Sequence, residues 1–215
     1  YGTSGIAVGD VNGDGLEDVY LCQEHALPNR LFLQNEDGTL RDYSQESGTD
    51  WLHSSRGPLL VDLDNDGDRD LAVAIFGGVL IAENDGFSHF TIRNVLDTDD
   101  DTTSLTAADF DLDGQLDLYV CGYQRDSGLQ SGDEISTPRG SAGLVYGEAN
   151  DGARGYLFRN RFKEQGRWEF KNVTSESGLD KHNSRWSLAA SWEDYDNDGD
   201  MDLYVSNDSG RNNLY

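Results

Sequence analysis

Short apolar runs alternate along this chain with loops of aspartate, asparagine and glycine. Ile6-Ala7-Val8 leads into the first loop and Val19-Tyr20-Leu21 leaves it. Leu59-Leu60-Val61 and Leu71-Ala72-Val73 bracket the second, while Leu118-Tyr119-Val120 and Leu203-Tyr204-Val205 follow the third and fourth. Runs of three or four β-branched and aromatic residues around a polar loop predict hairpins. A third run follows in each repeat: Arg30-Leu31-Phe32-Leu33, Val79-Leu80-Ile81-Ala82, Tyr156-Leu157-Phe158-Arg159 and the fragment Asn213-Leu214-Tyr215. Polar turns such as Asn35-Glu36-Asp37-Gly38 lead to a fourth, as in Leu40-Arg41-Asp42-Tyr43 and Trp168-Glu169-Phe170-Lys171-Asn172-Val173. No helix-period segment competes.

The loops repeat one formula, D-x-[DN]-x-D-G-x-x-D, beginning at residues 10, 62, 109 and 194. Four short strands per roughly 50 residues is the arithmetic of a β-propeller blade. The expected architecture is all-β, a propeller of four-stranded blades with about three and a half blades present. Blade 1 covers about residues 1–50, blade 2 about 51–97, and blade 3 about 98–180 with an insertion at 122–154. A partial blade 4 covers about 181–215. Because a propeller must close its ring, the segment is expected to belong to a larger ring, a compact four-bladed ring being the alternative.

Oxygen is the only side-chain donor in these loops, which marks a hard-cation site. Calcium takes six to eight oxygens in a flexible shell, whereas magnesium keeps waters in a tighter octahedron. The candidate ligands are Asp10, Asn12, Asp14, Leu16 and Asp18 in the first loop, and Asp62, Asp64, Asp66, Asp68 and Asp70 in the second. The third offers Asp109, Asp111, Asp113, Gln115 and Asp117, and the fourth Asp194, Asp196, Asp198, Asp200 and Asp202. About four structural Ca²⁺ sites are expected. An EF-hand is excluded by its twelfth position, where a bidentate Glu is required and Leu21, Val73, Val120 and Val205 stand instead.

Charge agrees. Sixteen basic against 41 acidic residues give a formal −25, so nucleic acid and anionic membranes are poor partners. The four loops hold 18 of those carboxylates, so much of the excess is local. No apolar run is long enough to span a membrane. Cys22 and Cys121 sit at equivalent places two repeats apart and are expected to be buried free thiols.

Taken together, the loops and the run Trp186-Ser187-Leu188-Ala189-Ala190-Ser191-Trp192-Glu193, with Arg211-Asn212-Asn213-Leu214-Tyr215, resemble the FG-GAP/VCBS repeats. These repeats also build integrin α-subunit heads, and the likeness here is to bacterial VCBS proteins of the ASPIC/UnbV (cartilage acidic protein-like) group. The resemblance implies a seven-bladed propeller, calcium in the blade hairpins and an extracellular adhesion or binding role. The expected function is a secreted or cell-surface, non-catalytic binding module for a protein or carbohydrate ligand, with the remaining blades supplied by the same parent chain. A polysaccharide lyase or hydrolase is the alternative, although no nucleophile elbow, zinc motif or phosphate loop is present. The insertion, with Tyr123, Arg125, Arg139, Tyr146 and Arg154, is the candidate ligand-binding segment, because long loops on rigid scaffolds often carry function.

Overall fold

The computed structural model describes residues 4–24, 26–123 and 149–215. The first repeat forms a four-stranded antiparallel sheet in chain order: β1 (Ile6–Gly9), β2 (Asp18–Leu21), β3 (Arg30–Gln34) and β4 (Leu40–Asp42). The last repeat forms a three-stranded sheet of β11 (Ser187–Glu193), β12 (Asp202–Asn207) and β13 (Asn213–Leu214). Between them lie β5 (Ser55–Val61), β6 (Asp70–Asn84), β7 (Phe90–Ala108), β8 (Asp117–Gly122), β9 (Tyr156–Asn160) and β10 (Phe170–Asn172). Their order is β10-β9-β8-β7-β6-β5.

Register resolves this six-element ladder into two further four-stranded sets. The first part of β6 pairs with β5, and its second part pairs with β7. The Asn84 N–H donates to Asp70 Oδ1 at 3.0 Å, so the two ends of β6 meet and the run folds back on itself. Gly77, with φ +74°, supplies the reversal that a residue with a Cβ would resist. In the same way β7 pairs first with β6 and then, from Thr102, with β8. The expected division at 97/98 therefore falls inside a continuous strand. One element departs from the all-strand expectation: α1 (Phe162–Gln165), a single turn between β9 and β10.

The hydrophobic core lies between successive repeats. In β6, Leu71 and Val73 face the first repeat, while Ala72 faces the third. In β8, Leu118 and Val120 face back and Tyr119 and Cys121 face forward. A strand with period-two side chains that is buried on both faces reads as an unbroken apolar run, and this is why the second strands are the most hydrophobic text in the chain. The second residue of each loop adds a peg: Val11 and Leu63 are buried in the first and second interfaces, and Phe110 packs against the third. Tyr195, at the same place in the fourth loop, is 71% exposed.

First strands of neighbouring repeats converge. A Cβ on Gly5 would meet Gly57 and Pro58, and one on Gly57 would meet the backbone of Thr103 and Ser104. Ser104 Oγ donates to the Leu188 carbonyl at 2.9 Å. The repeats are thus arrayed side by side about their first strands, and no sheet among the described residues closes on itself. Cys22 and Cys121 are buried free thiols in different interfaces, and burial pushes them up to about 12 and about 11.

Candidate metal centre

All four loops share one hydrogen-bonding scheme. The first aspartate accepts from the N–H of the glycine at position six: Gly15 to Asp10, Gly67 to Asp62, Gly114 to Asp109 and Gly199 to Asp194, at 2.8–3.2 Å. The fifth-position carboxylates of Asp14, Asp66, Asp113 and Asp198 accept from the N–H groups of Leu16, Asp68, Gln115 and Asp200. The ninth-position carboxylates of Asp18, Asp70, Asp117 and Asp202 accept from Val11, Leu63, Phe110 and Tyr195. Two residues per loop turn left-handed. Glycine fills the sixth position throughout, while the fourth is Gly13, Asn65, Leu112 or Asn197, at φ +59° to +73°.

This winding turns carboxylates inward. Asp62, Asp64 and Asp66 each place an oxygen within 4.8 Å of the others, as do Asp109, Asp111 and Asp117, and Asp194, Asp196 and Asp202. The first loop differs, because Asn12 Nδ2 is turned to Asp14 Oδ2 at 2.9 Å. Leu16 has only a main-chain oxygen to give. In the second loop Asp68 Oδ1 is buried without a hydrogen-bond partner among the described residues, an orphan that a cation would satisfy. Gln115 is otherwise engaged: its Oε1 accepts the Lys163 N–H at 3.1 Å and its Nε2 donates to the Gly114 carbonyl.

Crowding shows in the acidities. Burial, then the neighbouring Asp66 and Asp62, pushes Asp64 up to about 6. Burial and Asp66 push Asp68 up to about 7. Burial raises Asp70 to about 8 and Asp117 to about 7 in spite of the backbone N–H groups each accepts. Asp10 moves the other way: burial opposes ionisation, but the N–H groups of Gly15, Gly13, Asn12 and Asp14 outweigh it. Such a set fits a hard dication, which replaces mutual repulsion with shared attraction.

The ninth aspartate does more than its motif implies. Asp18, Asp70 and Asp117 are buried, and their second oxygen accepts the N–H that ends the third strand, from Gln34, Asn84 or Asn160, at 2.7–3.0 Å. Asn84 Nδ2 then reaches across to the Val11 carbonyl of the preceding loop at 2.8 Å, and Asn160 Nδ2 does the same to Leu63 at 2.7 Å. Asn65 Nδ2 donates to the Gly114 carbonyl, linking the second loop to the third. The first three loops therefore share one face. Asn84, Asn160 and Asn65 were not among the candidate residues, and the only sequence signal was a polar residue closing each third strand.

The described ends of the insertion, residues 122–123 and 149–154, lie on the opposite face. Tyr123 Oη donates to Asp208 at 2.6 Å and its ring meets Trp186 edge-on at 5.1 Å. Trp186 Nε1 donates to Asp151, so the base of the insertion docks on the fourth repeat. Arg154 is exposed beside it. Arg125, Arg139 and Tyr146 lie outside the described residues. Tyr123 is therefore part of the packing between repeats. The same face carries Arg56, paired with Glu24 at 2.9 Å and Asp101 at 2.8 Å.

The FG-GAP-like repeat profile matches residues 10–73 and 62–120, together more than half of the chain. The chain belongs to the FG-GAP-like repeat family. Each matched window opens on the first aspartate of one loop and ends within the second strand of the next repeat, the stretch that spans one buried interface. Cartilage acidic protein 1 from Xenopus tropicalis is 28% identical over 125 residues, covering 55% of this chain and 19% of that protein. The Mus musculus protein of the same name is 27% identical over 122 residues, covering 54% and 19%. The chain thus spans about a fifth of the length of these relatives. The V. cholerae biofilm matrix protein Bap1 aligns over 97% of this chain and 29% of its own at a TM-score of 0.46 and 13% identity, a likeness too loose to carry an argument. No described helix is long and apolar enough to cross a membrane.

Proposed function

We propose that this FG-GAP chain is a calcium-stabilised segment of an extracellular β-propeller that serves as a binding or adhesion module for protein or carbohydrate. The observation that carries the reading is the convergence of three carboxylates within 4.8 Å in three of the four loops, on a backbone already wound by the ninth aspartates. Calcium there is architectural. It neutralises the loop, fixes the hairpin between the first two strands and supports the contacts that tie neighbouring loops. Extracellular modules of this kind hold calcium at about 10⁻⁴ to 10⁻³ M, concentrations found outside cells.

The propeller reading is supported by first strands that converge repeat to repeat and by cores that lie between repeats. On this reading the blades run 1–50, 51–97, 98–180 and 181–215, in a larger ring whose other blades come from the same parent chain. The next blade would cover Tyr195. Ligand contact belongs to the face opposite the loops, where the 122–154 insertion emerges.

The test is binding of the purified chain to arrayed glycans and extracellular matrix proteins in millimolar calcium and in chelator. Calcium-dependent binding without turnover is expected. Cleavage of a polysaccharide would overturn the non-catalytic reading.

A further inference from the structure

Gln34, Asn84 and Asn160 each donate their backbone N–H to the ninth aspartate of their loop, so the residue before each holds one fixed register position beside that loop. Those residues are Leu33, Glu83 and Arg159. In the first repeat the position is buried in the core between repeats, and in the third it reaches the third and fifth loop residues. In the second repeat Glu83 pairs with Arg93 and still adds its charge, as the smallest contribution, to those raising Asp64. In the third, Arg159 Nε lies 2.5 Å from Asp111 Oδ2, an ion pair too far off line to count as a hydrogen bond. Its Nη2 lies 2.9 Å from Asp113 Oδ2 and 3.0 Å from Glu164 of α1. Lys163 Nζ closes the same side by donating to the Asp113 carbonyl at 2.6 Å. One register position therefore carries no charge, a negative charge or a positive charge in three successive repeats.

We propose that Arg159 is a resident cation of the third loop, holding Asp111 and Asp113 in place without a metal ion and making this loop the weaker calcium site beside the second, where Glu83 stands at the same position. The proposal rests on the reading of the loops as calcium sites. It also assigns α1 a purpose: the single turn brings Lys163 and Glu164 to the loop and orients the guanidinium. The array is then graded, with loops that demand an ion beside one that keeps its shape when calcium falls.

The test is calorimetric titration of calcium into the ion-free 215-residue chain, paired with ion-free thermal melts, for the unsubstituted protein, Arg159→Gln and Arg159→Lys. Arg159→Gln is expected to tighten one site by about tenfold, the effect of removing one nearby positive charge. It is also expected to melt lower than the unsubstituted chain without ions and to recover on adding calcium. Arg159→Lys, which keeps the charge, is expected to stay close to the unsubstituted chain in both readouts. Unchanged affinity in Arg159→Gln overturns the proposal, as does an unchanged ion-free melt. If none of the three chains binds calcium, the calcium reading of the loops fails. A lower ion-free melt of Arg159→Gln would then still identify Arg159 as the cation that holds the third loop.

Discussion

The two faces of this repeat array are held by different means. On the loop face every repeat uses glycine N–H to first aspartate and second-position N–H to ninth aspartate, and the second and third repeats add a terminal amide across to the preceding loop. On the opposite face some bonds also recur: Asn29 and Asn212 each accept the N–H of Gln23 or Asn207 and donate to Tyr20 or Tyr204, but the charged and aromatic contacts are particular to their place. Arg56 bridges Glu24 and Asp101 between the first three repeats, whereas Tyr123, Trp186, Asp151 and Asp208 form an unrelated cluster between the third and fourth. Repetition, on either face, marks bonds under a common structural demand. The individual contacts are gathered on the face opposite the loops, and they mark where it is free to diverge toward a ligand.

The comparison breaks most sharply at Asp70. Replacing it with alanine leaves the Leu63 and Asn84 N–H groups buried without acceptors, and at about 1–3 kcal/mol for each the loss is expected to reach about 3 kcal/mol or more. Denaturant unfolding with and without calcium checks this; a loss confined to the calcium condition would show that Asp70 is only a ligand. Calcium removal comes next. Saturating calcium at about 100 times its dissociation constant stabilises by about 2.7 kcal/mol for one site, so chelation is expected to lower Tm by several degrees.

pH gives the third test. Without ions, Asp64, Asp68, Asp70 and Asp117 titrate at about 6, 7, 8 and 7, above the unfolded value of about 3.9. Their contribution is therefore fully present below about pH 4 and is lost as pH rises toward 8. The ion-free chain is expected to melt lower at pH 8 than at pH 5, and calcium is expected to remove the trend. A melt that rises with pH in ion-free buffer would contradict the crowding of these carboxylates.

Two smaller effects sharpen the contrast. Leu112 sits left-handed at φ +59° where two other loops have asparagine, so Leu112→Asn is expected to stabilise the chain by about 1 kcal/mol, read from the denaturation midpoint. Arg56→Gln, on the opposite face, breaks part-exposed ion pairs and is expected to cost about 1 kcal/mol or less, with no change in calcium affinity. A calcium effect at Arg56 would mean that the faces are coupled.

Much of the loop face was legible in the chain. Alternation and the aspartate formula located the strands and the turns, because the period of two and the left-handed glycine are local demands. The double duty of Asp18, Asp70 and Asp117 was not legible. It depends on where the third strand ends in space, and in the third repeat 43 residues separate Asp117 from Asn160. The same distance hid Arg159 and the bond from the Lys163 N–H to Gln115. The unbroken course of β6 and β7 was masked by Gly77-Gly78 and by an aspartate-rich link that reads as a loop. On the other face the recurring Asn29 and Asn212 bonds carry no motif as plain as the aspartate formula, and the packing of Tyr123 on Trp186 and Asp208 joins residues far apart in the chain.

The central claim is that the loops are calcium sites that hold the array together. A thermal melt of the ion-free chain, repeated in graded calcium and in matched magnesium, tests it most directly. The account predicts a Tm that climbs with calcium and levels off at millimolar concentration, with a much smaller response to magnesium. An identical Tm in chelator and in millimolar calcium would contradict it.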